Sequence, residues 1–286
     1  MKKIIVLLFA VSFLLFACGT KQGSPGAGPQ ITLEIPELFT PDPDDANIKI
    51  TIGINLTTPH PVPIKDWSIQ INPARGPRQT EQERTGTGRR REFFQYSRTG
   101  ALPRSWDWNG RGVNNELVQS ATNYQFTLSV NDILNNNTTV TGIISTGIIV
   151  IREGDKLRMV VPSIIFPANL SDLALVTDED DRRNNARVLR EIARALGRFD
   201  GYRITVEGHA NPTTRPNTAA RTNENPILRR LSLDRAQAVI NFLVTEHSIT
   251  RARLSPIGIG GDRTVAPWDN TEENWKNRRV EFILER

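Results

Sequence analysis

Three short stretches in the last third of the chain carry side chains suited to gripping a charged ligand. They are Gly208-His209 with Asn211 two residues on, Arg235 within Leu231-Ser232-x-x-Arg235-Ala236, and Arg278-Arg279 within Asn277-Arg278-Arg279-Val280-Glu281. A guanidinium is a planar fork of donors matched to a carboxylate, whereas asparagine offers an acceptor oxygen and two amide hydrogens without charge. Arg235 shares a helix face with Leu228 and Leu231, so it needs a counter-charge or a cleft. Asp234 is next to it in sequence, but neighbouring residues on a helix point apart. The chemistry these residues predict is recognition of an anion, with no catalytic residue among them. His209 as a general base would need a serine or cysteine to activate, and no such nucleophile is placed for it. It reads instead as a satisfied histidine at a strand end. His60, His209 and His247 show no ligand spacing and Cys18 is the only cysteine, so neither a metal nor any other cofactor is expected.

The elements that must position these side chains follow from periodicity. Asp180 to Phe199 reads as a helix with Val188, Leu189, Ile192, Ala195, Leu196 and Phe199 on one face. Tyr202 to Val206 alternates as a strand that ends at Glu207-Gly208-His209. A second helix is expected to start with Asn225 as N-cap and Pro226 as its first residue, burying Ala236, Val239, Ile240, Leu243 and Val244. Arg253 to Ile259 reads as a strand, Thr271 to Lys276 as a short helix, and Val280, Phe282 and Leu284 as a last strand. Upstream, residues 31–152 read as all-β. Ile31-x-Leu33-x-Ile35, Ile48-x-Ile50-x-Ile52-x-Ile54-x-Leu56 and Tyr124-x-Phe126-x-Leu128-x-Val130 all alternate between Pro, Asn, Asp and Gly clusters, which predicts a β-sandwich.

Taken in order, Gly208-His209, Leu231-Ser232-x-x-Arg235-Ala236, Gly258-x-Gly260, Pro267-x-x-Asn270-x-x-Glu273 and Asn277-Arg278-Arg279-Val280-Glu281 resemble the OmpA-like C-terminal domain. That family grips peptidoglycan without a covalent bond. The resemblance implies an α/β sandwich over residues 153–286, with a mixed sheet and helices on one face. It also implies a peptidoglycan-stem site of Asn211, Arg235, His209, Arg278 and Arg279, in which Arg235 takes the carboxylate of a diamino acid. The family's aspartate, which holds that residue's ammonium, is Asn211 here, preceded by Ala210. Leu228 stands where the motif has asparagine, and Thr214 to Glu224 is an insertion. On this reading Asn211→Asp should strengthen binding by restoring a charge.

The β region has a resemblance of its own. Phe39-Thr40-Pro41-Asp42-Pro43-Asp44-Asp45-Ala46-Asn47, Trp106-Asp107-Trp108-Asn109-Gly110-Arg111 and Val130-Asn131-Asp132 resemble the immunoglobulin-like module related to the flagellar hook-cap protein FlgD. Asp42, Asp44 and Asp45 lack the glycine and distal glutamate of a calcium loop, so Asx turns are expected there. Between Pro73 and Pro103, Arg75, Arg78, Arg84, Arg89, Arg90 and Arg91 form a basic insertion, read as a solvated loop.

At the N-terminus, Met1-Lys2-Lys3 and the apolar run Ile4 to Ala17 have the shape of a secretory signal, too short to span a bilayer comfortably. The run ends at Leu15-Phe16-Ala17-Cys18, which resembles a bacterial lipobox and predicts lipidation of Cys18. Residues 18–30 then form a flexible tether. Removing residues 1–17 takes away Lys2 and Lys3 and no acid, so the formal charge falls from +5 to +3, which does not call for nucleic acid. The expectation is a non-enzymatic, lipid-anchored outer-membrane protein on the periplasmic face. It would bind peptidoglycan and tether the membrane to the wall, with other envelope proteins as partners for the sandwich. The alternative is an envelope scaffold lipoprotein whose OmpA-like domain has lost diaminopimelate binding.

Overall fold

A computed structural model describes residues 28–56, 62–74, 92–162, 164–271 and 273–286. The signal segment, Cys18, His60 and the Arg75–Arg91 stretch lie outside the described residues. Among those described, no helix is long and apolar enough to cross a membrane.

Among the described residues the first half is built from strands, as alternation predicts. β1 (Ile31–Glu34), β2 (Ile50–Leu56) and β5 (Ser105–Trp108) form one antiparallel sheet in the order β1-β2-β5. β3 (Ile64–Pro73), β4 (Phe94–Thr99), β6 (Asn123–Asp132) and β7 (Asn137–Ser145) form a second in the order β4-β3-β6-β7. Every second residue of the central strands points into one shared core: Ile50, Ile52 and Ile54 from β2, Trp67, Ile69 and Ile71 from β3, Tyr124, Phe126, Leu128 and Val130 from β6.

Two of the sequence patches meet in space. The Trp108 ring packs 6.3 Å from that of Phe39, its indole N–H donates to the Arg111 carbonyl at 2.9 Å, and Arg111 reaches back to the Pro43 carbonyl at 2.8 Å. The acidic run forms Asx turns: Asp42 accepts the Asp44 N–H and Asp45 the Asn47 N–H, each at 2.8 Å.

The second half is one mixed sheet, β11-β10-β12-β9-β8, from β8 (Val150–Glu153), β9 (Lys156–Val161), β10 (Arg203–His209), β11 (Leu254–Gly260) and β12 (Val280–Glu285). Only β10 and β11 run parallel. Helices α1 (Glu179–Gly197) and α2 (Ala219–His247) lay Val188, Leu189, Ile192 and Leu196, and Ala236, Val239, Ile240 and Leu243, against the sheet residues Ile204, Val206, Phe282 and Leu284.

The sheet starts at Val150, ahead of the boundary expected at residue 153, because Gly154 and Asp155 turn the chain and pair β8 with β9. The connecting segment serves both halves by simple alternation. Ile148 and Val150 pack on the C-terminal core, Ile149 and Ile151 on the N-terminal one. Arg187 of α1 also donates to the Ala121 carbonyl at 3.0 Å. Burying an isoleucine contributes about 1.5–3 kcal/mol. A fragment beginning at residue 147 is therefore expected to melt well above one beginning at residue 156 by circular dichroism. Equal melting temperatures would show that β8 and Ile148 contribute nothing to the C-terminal unit.

α2 departs from the expected start at Pro226. It begins at Ala219, with Thr218 as N-cap accepting the Arg221 N–H at 3.2 Å, and Pro226 lies inside the helix. A proline in a helix interior usually costs about 3 kcal/mol. The turns before it are held by Glu224, which accepts the N–H and hydroxyl of Thr213 at 2.8 and 2.6 Å and the N–H of Thr214 at 3.2 Å. Burial works to raise the Glu224 carboxyl, but the hydrogen bonds from Thr213 and Thr214 outweigh it and hold the group below its ordinary value. The insertion is thus an ordered extension of α2. The short helix expected near residue 271 is a 3-10 turn over Asn274–Asn277.

Candidate functional site

The site lies where the C-terminal ends of β10 and β11, the start of β12 and the middle of α2 converge. Glycine permits that convergence. A Cβ on Gly208 would sit 2.0 Å from the Ser232 carbonyl, and one on Gly258 would sit 2.1 Å from the Arg229 carbonyl. Ser232 stitches the contact, donating to the Arg229 carbonyl at 3.0 Å and accepting the Gly260 N–H at 2.9 Å. The serine and glycines of the sequence motif are therefore packing residues that bring α2 onto the strand ends and fix where Arg235 emerges.

Arg235 is half-buried and has no acid partner among the described residues. Its Nε donates to the Leu170 carbonyl at 3.0 Å, Nη2 to the Pro167 carbonyl at 3.4 Å, and the guanidinium lies 5.0 Å from the Phe166 ring centroid. Burial first, and the nearby Arg278 second, lower it from its ordinary value to about 10, with no carboxylate among the described residues opposing them. It stays cationic at neutral pH. Asp234 pairs with Arg230 at 3.0 Å, in line with the divergence of neighbouring helix residues.

Asn211 is positioned by, and positions, the loops around it. Its amide donates to the carbonyls of Pro212 at 2.9 Å and Trp268 at 3.0 Å, and its oxygen accepts from Asn277 Nδ2 at 2.8 Å. Asn277 is fully buried and also accepts the N–H groups of Val265 at 2.7 Å and Ala266 at 3.0 Å. This pair of amides is the frame of the site, and Asn277 was visible in sequence only as part of a motif. The geometry adds a cost in stability to Asn211→Asp. A carboxylate there would face two carbonyl oxygens in place of two donated hydrogen bonds, so the substitution is expected to destabilise the domain by about 1–3 kcal/mol. A urea titration checks this, and unchanged stability would free Asn211 for a ligand-facing role.

His209 and Arg279 belong to a buried ionic cluster on the sheet face opposite the helices. Glu207 and Glu281 are register partners on β10 and β12. His209 Nε2 stands 3.5 Å from Glu207 and 3.6 Å from Glu281, while Arg279 Nε donates to Glu281 at 2.6 Å and Arg263 to Glu207 at 2.9 Å. The Glu207 carboxyl is held below its ordinary value, first by the His209 imidazole, against the cost of burial, and then by Arg263. By spacing, Glu207, His209 and Glu281 form a trio with ligand atoms within 4.8 Å of one another. By charge, both carboxylates already face guanidinium groups, with Arg158 3.6 Å from Glu281 as well. The arrangement is suited to holding the sheet together. Of the five residues expected at the site, the structure groups Arg235 electrostatically with Arg278, puts Asn211 in the framework beside them, and assigns His209 and Arg279 to the ionic cluster.

Residues 182–278 match the family model described as the OmpA family. The C-terminal unit is an OmpA-family domain. Among solved structures, a putative MotB-like protein from Desulfovibrio vulgaris is 26% identical, with 49% of this chain and 82% of that chain covered and a TM-score of 0.38. The OmpA-like domain of FopA1 from Francisella tularensis is 15% identical, covering 48% and 77% at a TM-score of 0.35. The peptidoglycan-associated lipoprotein from Burkholderia pseudomallei is 17% identical, covering 35% and 75% at a TM-score of 0.29. No curated protein matches the chain.

Proposed function

We propose that this protein is a non-enzymatic envelope lipoprotein whose C-terminal domain binds peptidoglycan without a covalent bond and tethers the outer membrane to the wall. The observation that carries the reading is Arg235: in an OmpA-family domain, a guanidinium held by two carbonyls and an aromatic ring, beside Arg278, with no acid of its own among the described residues. Such a group is stabilised by a ligand carboxylate, and the stem peptides of the wall carry them. Cys18 supplies the anchor in this reading, residues 18–30 the tether, and the all-β unit an immunoglobulin-like module available to other envelope proteins.

Co-sedimentation of the purified protein with sacculi tests the binding. Retention above that of an unrelated protein of similar charge is expected, and wash-off like that control would remove the proposal. The competing reading, a scaffold that has lost wall binding, is favoured by one observation: Asn211 spends its amide on Pro212 and Trp268. Cys18→Ser should move the protein from the detergent phase to the soluble or unprocessed fraction. Unchanged partitioning would rule out the lipid anchor.

A further inference from the structure

The guanidinium of Arg235 shares its walls with an apolar groove. α2 places Leu231 one turn and Ile227 two turns before Arg235 on the same face, and helical side chains lean toward the N-terminus, so Arg235 reaches back along this stripe. The opposite wall is the 167–170 loop, whose Pro167 and Leu170 carbonyls hold the guanidinium. Between them lies a groove of about 510 Å³ lined by Asn169, Pro226, Ile227, Arg230, Leu231 and Asp234. Ile227 is 69% exposed and Leu170 45%, so apolar surface remains available beside the charge. The charged rim residues Arg230 and Asp234 neutralise each other at 3.0 Å.

The same cleft is poorly suited to an ammonium. Among the described residues Arg278 is the one charged group that acts on Arg235, Asn211 carries no charge, and its amide hydrogens are already donated. An ammonium brought beside the carboxylate would meet the half-buried Arg235 guanidinium, where screening by solvent is weak, and Asn211 offers it no anionic partner.

We propose that Arg235 holds a chain-terminal carboxylate on an aliphatic residue, with no ammonium beside it, and that the alkyl group lies in the groove against Ile227 and Leu231. The site thereby selects the end of a stem peptide over the zwitterionic side chain of a diamino acid. The inference rests on the wall-binding reading and names the part of the wall that is recognised.

Three probe peptides and sacculi separate the outcomes. The probes are acetyl-lysyl-D-alanyl-D-alanine with its side-chain amine free, the same peptide with that amine acetylated, and the acetylated peptide with its C-terminus amidated. By titration calorimetry, acetylating the amine is expected to leave affinity equal or a few-fold higher. Amidating the terminus should lower it tenfold or more, roughly the value of a charged hydrogen bond. Ile227→Ser, an exposed change that leaves the fold intact, should weaken the acetylated peptide about fivefold.

Loss of binding on acetylation would overturn the proposal and return the site to diamino acids. If Asp269→Asn, an exposed acid next to Trp268, then weakened the free-amine peptide, the ammonium partner would be Asp269. Retention on sacculi with none of the peptides bound would also overturn it while wall binding stood. Failure of both would remove the wall-binding reading itself.

Discussion

Arg235→Ala is expected to lower retention on sacculi by roughly tenfold to a hundredfold, the loss of a charge-assisted contact of about 1.5–3 kcal/mol. The same substitution should leave the melting temperature of the unliganded protein nearly unchanged or slightly raised. Arg235 is half-buried beside Arg278 with no carboxylate among the described residues to compensate it, so its charge is a cost in the free protein that a ligand carboxylate relieves. A residue with a merely structural role would give the opposite pattern, with lower stability and binding lost only through unfolding. Arg235→Lys should recover part of the binding, since it keeps the charge and loses the planar fork. Retention indifferent to Arg235→Ala would sink the site assignment and direct attention to the arginine-rich 75–91 stretch.

Glu281→Ala should have the largest effect on stability, about 3–5 kcal/mol, because it leaves the guanidinium of Arg279 buried without its partner. The two side chains are 3% and 4% exposed and 2.6 Å apart, so water cannot replace the missing carboxylate. The expected fall in melting temperature is roughly 10–20 °C, and Glu281→Gln should lose less because it keeps an acceptor. A loss below about 0.5 kcal/mol would show that the cluster is solvated in solution.

The pH dependence has a defined sign. The native Glu207 carboxyl sits below its ordinary value of 4.5, so its contribution is complete above that pH and is lost as pH falls through the lower native value. Stability should decline below about pH 4.5, and Glu207→Gln should flatten that slope.

Local periodicity was enough to identify most elements. The alternation of Ile50, Ile52 and Ile54, and the helical spacing of Val188, Leu189, Ile192 and Leu196, each define one buried face. Burial of that face is the dominant driving force, so pattern and outcome agree. The start of α2 was not legible, because Asn225-Pro226 is a good local helix start. What overrides it is a set of contacts from Glu224 to Thr213 and Thr214, eleven and ten residues away, together with the Thr218 cap.

The site divides in the same way. By itself the sequence determined which residue types are present: an arginine on a helix face, an asparagine where the family resemblance leads one to expect an aspartate, and a family of folds that brings them together. Only the tertiary structure decided their roles. Arg278 and Arg279 are neighbours in sequence, in the short link between the 3-10 turn and β12, yet Arg279 enters the ionic cluster while Arg278 adds its charge to that of Arg235. Asn211 looked like a ligand contact until its partners were known. An amide has no fixed allegiance, and carbonyls of Pro212 and Trp268 close by in the fold claim both of its hydrogens.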